Sequence, residues 1–115
     1  MEELDRNKVL VIDIEGKEYK LGYPTRKAVK VAEEKGLNVA ESVNKLITVT
    51  DKLFYTGLLA FHNVSEKEAE ELLEKYVEEG GDTDEIVSFL SEQYMAFIQS
   101  PEGKKKKKKA KIIQI

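Results

Sequence analysis

Residues 9–23 hold the pattern that most limits how this chain can fold. Val9-Leu10-Val11-Ile12-Asp13-Ile14 is rich in β-branched side chains. Glu15-Gly16 follows, and then Lys17-Glu18-Tyr19-Lys20-Leu21-Gly22-Tyr23 alternates polar and apolar with a period of two. A two-residue turn at Glu15-Gly16 sets Ile12 opposite Tyr19 and Leu10 opposite Leu21, which gathers the apolar side chains on one face. Gly16 supplies the positive φ such turns need. A hairpin with one apolar face must bury it against something else.

The rest of the chain offers helices for that purpose. Pro24 ends the second strand and Thr25 caps a helix carrying Ala28, Val29, Val31 and Ala32, which Gly36 stops. Asn38 and Glu41 begin a second helix with Val39, Val43, Leu46 and Ile47, and Thr48-Val49-Thr50 reads as an extended turn. Asp51 caps a third helix over residues 51–62, striped by Leu53, Phe54, Leu58 and Phe61. Ser65 with Glu68 makes a capping box for a fourth, with Ala69, Leu72, Leu73, Tyr76 and Val77, up to Gly80-Gly81. Thr83 caps a fifth, with Ile86, Val87, Leu90, Tyr94, Phe97 and Ile98, before Ser100-Pro101-Glu102-Gly103. The expected fold class is α+β: a small N-terminal β-hairpin packed against a bundle of about five helices. At 115 residues the chain suits a single domain over 1–103, followed by a basic C-terminal tail over 104–115.

Much chemistry is excluded by what the chain lacks. It has no cysteine and one histidine, His62, so a thiolate nucleophile is absent and a zinc set of about four ligands has no usual source. Next to Asn63 at a helix end, His62 is expected to be structural. The carboxylates fall mostly in runs such as Glu66, Glu68, Glu70, Glu71, Glu74, Glu78 and Glu79, the pattern of a solvated helix face. Gly80-Gly81 follows a helix, whereas a phosphate-binding loop follows a strand, and Asp82-Thr83-Asp84 lacks the offsets of a calcium loop. No catalytic residue, metal or cofactor is expected. Neither a spanning helix nor a signal peptide is legible, and a membrane is not an expected partner.

Charge divides the chain sharply. Residues 1–103 hold 12 basic and 22 acidic side chains, a net charge of −10, while residues 104–115 hold seven lysines and no acid. An acidic body repels phosphate backbones and favours basic or apolar partners. Lys104, Lys105, Lys106, Lys107, Lys108 and Lys109 form an unbroken run, which admits three readings: a solvated tail, a nucleic-acid contact, or the trace of an A-rich coding stretch on which a ribosome can slip. Ile112-Ile113-Gln114-Ile115 follows, suited to adding a strand to a sheet edge, to mediating oligomers, or to being ordered by a partner. Among the aromatic residues, Tyr55 and Phe89 lie off the main helical stripes and are expected to face outward.

The hairpin with Gly16, Tyr19 and Leu21 in a Gly-x-x-Tyr-x-Leu spacing, the helix begun by Pro24-Thr25, and the acidic helical remainder resemble the tail assembly chaperones of long-tailed bacteriophages or prophages, over roughly residues 8–100. The lysine codons at 104–109 are suitably placed for the ribosomal frameshifting that this family's two-product genes resemble. The resemblance implies a non-enzymatic protein of the bacterial host cytoplasm. It would bind the helical tape-measure protein, keep it soluble during virion assembly, and release it as tail-tube subunits polymerise. Its contacts are expected among Phe54, Tyr55, Phe61, Phe89, Tyr94 and Phe97, and the helices ending at Val77 and Ile98 would supply the apolar face. Whether the protein forms a homo-oligomer is left open.

Two readings from other classes compete. One is a small nucleic-acid-associated or regulatory protein that works through the lysine tail, with binding that weakens steeply in salt. The other is an enzyme using His62 with neighbouring carboxylates, for which the sequence supplies few of the necessary groups.

Overall fold

The computed structural model describes residues 8–99. Strands β1 (Leu10–Ile14) and β2 (Lys17–Leu21) form an antiparallel hairpin with Leu10 opposite Leu21 and Ile12 opposite Tyr19, the expected register. Glu15 and Gly16 both adopt positive φ, 55° and 83°, as the two central positions of a type I′ turn require. Asp13 holds the turn by accepting the Gly16 N–H on Oδ1 at 2.9 Å. Ile12, Ile14 and Leu21 are buried on the shared face, while Val11 points outward.

Four α-helices follow: α1 (Arg26–Glu34), α2 (Leu46–Leu59), α3 (Glu66–Glu78) and α4 (Thr83–Gln99). Several expected boundaries hold. Thr25 accepts the Ala28 N–H at 3.1 Å, and Ser65 and Glu68 exchange both bonds of a capping box at 3.1 and 2.9 Å. Helices α1 and α3 end in matching Schellman turns at Gly36 and Gly80, with φ of 104° and 92°. In the first, Leu37 N–H reaches Ala32 O; in the second, Gly81 N–H reaches Tyr76 O.

The middle of the chain departs from expectation. The segment read as a second helix is one 3-10 turn, Val39–Val43, entered through the Asn38 side chain, and Leu46 and Ile47 belong to α2 instead. Thr48-Val49-Thr50 is helical, and Asp51 sits within α2 rather than capping it. Helix propensity disfavours such a β-branched run by only about half a kcal/mol per residue. Burial of Val49 acts in the helix's favour, and the Thr50 hydroxyl is satisfied within the helix by Leu46 O at 2.9 Å. At α4, Asp82 accepts the Asp84 N–H at 2.9 Å and takes the capping role expected of Thr83, which is the helix's first residue. The expected stop at Ser100–Gly103 and the tail at 104–115 lie outside the described residues.

Helix α2 is the hub, packed against β2, α1, α3 and α4. Its residues Leu53 to Leu58 are buried without interruption, the signature of a helix enclosed on all sides. That enclosure overturns the outward placement expected for Tyr55. It also depends on close backbone approach: Gly22 N–H donates to Gly57 O at 3.3 Å, and a Cβ on Gly57 would stand 3.1 Å from the Leu90 methyls. Buried polar groups there are paired. Tyr23 Oη meets Thr56 Oγ1 at 2.7 Å, and Thr56 in turn reaches Lys52 O at 2.7 Å. Gln93 accepts from Tyr23 N–H at 2.7 Å and donates to Lys8 O at 2.9 Å, binding both ends of the hairpin to α4.

Candidate partner-binding groove

The first turns of α2, the second half of α3 and the first turn of α4 do not close against one another. Between them runs a groove of roughly 760 Å³. Leu46, Ile47, Leu73, Val77 and Val87 supply its apolar surface. Leu46, Ile47 and Val77 remain 57%, 77% and 50% exposed, values that mark them as unpartnered rather than core. Along the same groove stand Asp51, Glu70, Glu74, Glu78 and Asp84, with no lysine or arginine among the lining residues.

The spacing of α3 explains this arrangement. Glu70, Leu73, Glu74, Val77 and Glu78 stand at positions i, i+3, i+4, i+7 and i+8, so one face of the helix alternates apolar and acidic side chains toward the groove. Crowding of like charge leaves its mark on Asp51. Partial burial raises its pKa above the ordinary aspartate value, and the nearby Glu70, Glu74 and Glu66 raise it further. Lys52, one residue on, is engaged with Glu66 at 2.7 Å. The groove therefore favours a cation and rejects an anion, while its floor favours apolar side chains.

None of the six aromatic residues expected to make contacts lines this groove. Phe54, Tyr55 and Tyr94 are buried in the core, Phe89 and Phe97 are half-buried against it, and Phe61 alone is exposed, at 36%. Tyr94 crosses from α4 to α1, where its hydroxyl donates to Glu33 at 2.8 Å; burial and that carboxylate push its pKa up to about 12. The structure does not bring the six together as one surface. Val77, expected on the apolar face, is in the groove, whereas Ile98 is exposed near the far end of α4. In the sequence Leu46 and Ile47 continue the stripe of Val39 and Val43, which hides their position at the head of α2.

His62 packs against the hairpin. Its Nε2 accepts the outward N–H of Lys20 at 3.0 Å, satisfying the open edge of β2, and its ring tilts against Tyr19 at a centroid distance of 5.5 Å. Burial lowers its pKa, and Lys17 and Lys20 lower it further, which keeps the imidazole in the neutral form this bond requires. Among the described residues no group of three or more His, Asp or Glu is placed to hold a metal ion, and no helix is long and apolar enough to cross a membrane.

The family described as "Domain of unknown function (DUF5055)" matches residues 6–114. The chain belongs to the DUF5055 family. That match spans the hairpin and all four helices as one unit, and it extends past Gln99 through the lysine run to Gln114. No curated protein and no solved structure matches this DUF5055 chain.

Proposed function

We propose that this DUF5055 protein is a tail assembly chaperone of a long-tailed phage or prophage, acting without chemistry in the cytoplasm of the bacterial host. It shelters a helical segment of the tape-measure protein until tail-tube subunits enclose that protein. The observation that carries the reading is the groove itself: exposed Leu46, Ile47 and Val77 between carboxylates of α2, α3 and α4. An amphipathic helix with apolar anchors and flanking lysines or arginines fits such a surface, with the apolar contacts supplying affinity and the charges supplying orientation and on-rate. A groove of this size with exposed rim charges suits moderate affinity and reversible release. Its acidity opposes nucleic acid as the occupant.

Co-expression of the full chain with a phage tape-measure protein tests this. The expected result is a soluble complex, lost when Ile47→Glu and Val77→Glu are introduced together. Each substitution places a charge on an apolar contact, with an expected cost of about 2 kcal/mol or more, roughly 30-fold in affinity, if these are anchor residues. Failure of the wild-type chain either to associate or to alter tape-measure solubility overturns the reading.

A further inference from the structure

The acidic groove has a complementary segment within the same polypeptide. We infer that residues 108–115, Lys-Lys-Ala-Lys-Ile-Ile-Gln-Ile, are an intramolecular occupant of the groove formed by α2, α3 and α4, competing there with the partner. This inference rests on the proposed partner-binding role of that groove.

Chemistry and reach both support it. The segment combines three lysines with three isoleucines, matching a surface that combines Asp51, Glu70, Glu74, Glu78 and Asp84 with Leu46, Ile47 and Val77. The other exposed large apolar residues, Val11, Val43, Phe61 and Ile98, do not line this groove. Helix α4 is 17 residues long, about 25 Å, and the groove lies at its first turn, so a chain leaving Gln99 must run back by about that distance. Residues 100–107 span about 26 Å when extended, which delivers Lys108 and the isoleucines to the groove. A tether of this length also holds the segment at an effective concentration in the millimolar range, so weak contacts suffice for substantial occupancy. Six consecutive lysines strengthen attraction to the acidic body at low salt and weaken it at high salt.

The absence of cysteine makes the test direct, because Gln114→Cys gives a single site for a nitroxide spin label on the full chain. Methyl resonances of Ile47, Val77 and Val87 are expected to broaden, while those of Val11 and Val29 stay sharp. Broadening should vanish in 1 M salt or when Ile112→Asp and Ile113→Asp are added. Mixing spin-labelled unenriched protein with isotope-enriched unlabelled protein should give none. Broadening only in the mixture would assign the groove to a second copy and overturn the inference, as would uniformly sharp groove methyls.

A lysine-rich amphipathic helical peptide with a leucine stripe provides the second arm. If the tail fills about nine grooves in ten, the Ile112→Asp/Ile113→Asp chain should bind that peptide about tenfold more tightly than wild type. Peptide binding of equal strength in both chains overturns the inference and leaves the partner-binding role standing. Tail-dependent broadening without tape-measure association removes the proposed function and leaves the intramolecular contact standing.

Discussion

The two halves of α2 belong to one helix of 14 residues and meet opposite fates. From Leu53 to Leu58 every side chain is enclosed: Phe54 and Leu58 are fully buried, Thr56 is bonded to Tyr23, and Gly57 admits β2 and Leu90 at close range. At the opposite end Leu46 and Ile47 are as apolar as anything in the core, yet they face a groove. Hydrophobicity alone does not separate these halves. What separates them is how neighbouring elements arrive: β2 and Leu90 of α4 come close to the later turns at Gly57, whereas Leu46 and Ile47 line the groove that α3 and the start of α4 border. Exposed apolar side chains on the least enclosed part of the hub helix are the physical content of the candidate site.

Paired alanine substitutions offer the sharpest way to break that contrast. Leu58→Ala truncates a fully buried side chain and is expected to cost about 2–5 kcal/mol of stability. Ile47→Ala removes a similar group from a surface 77% exposed and is expected to cost no more than about 1 kcal/mol. Urea unfolding of both variants decides the matter. Equal losses would mean that the first turns of α2 are as enclosed as the later ones, and the groove would lose its claim as a docking surface.

A pH series sharpens the comparison from the hairpin side. The lowered pKa of His62 means that the unfolded chain takes up its proton at higher pH than the folded chain does. The contribution of the neutral imidazole is therefore fully present above the unfolded value of 6.5 and is lost as pH falls through the lower folded value. In structural terms, protonation removes the acceptor of the Lys20 N–H. Urea midpoints measured from pH 8 to pH 5 should fall more steeply for wild type than for His62→Gln, whose side-chain oxygen can accept without titrating. Identical slopes would show that the Nε2 bond contributes nothing to stability.

Legibility in the sequence followed the range of the interaction that decides each feature. The hairpin register, the Thr25 cap, the Ser65 and Glu68 capping box and the glycine stops at 36 and 80 all depend on residues within a few positions of one another, and each was readable. The enclosed turns of α2 depend on Gly22 meeting Gly57 and on Tyr23 meeting Thr56, partners more than 30 residues apart, and nothing in Tyr55's own neighbourhood announced its burial. The groove is illegible in the sequence for the same reason. Val77 and Glu74 could be placed on one face of α3, but that face's open side depends on where α2 begins, and the β-branched Thr48-Val49-Thr50 run disguised that boundary. The acidic character was visible in composition; its convergence with Leu46 and Ile47 was not.

Asp51 gives the smallest effect and the finest probe of the contrast, since it lies on α2 between the exposed and enclosed turns. Its raised pKa has the opposite consequence from that of His62. The folded chain holds the proton more tightly than the unfolded chain, so the stabilising contribution is present below the unfolded value of 3.8 and is lost as pH rises through the folded value. At neutral pH its charge is a liability to the free protein, repelled by Glu70, Glu74 and Glu66 and partly withdrawn from water. Asp51→Asn should therefore raise the urea midpoint slightly at pH 7 and steepen the acid limb of the stability profile, while weakening binding of a lysine-rich helical peptide by a few-fold. Such a carboxylate resists folding and assists binding, so the two measurements should move in opposite directions. If the substitution lowers the midpoint and leaves peptide affinity unchanged, Asp51 is an ordinary stabilising residue, and the acidic groove does not act on cations through it.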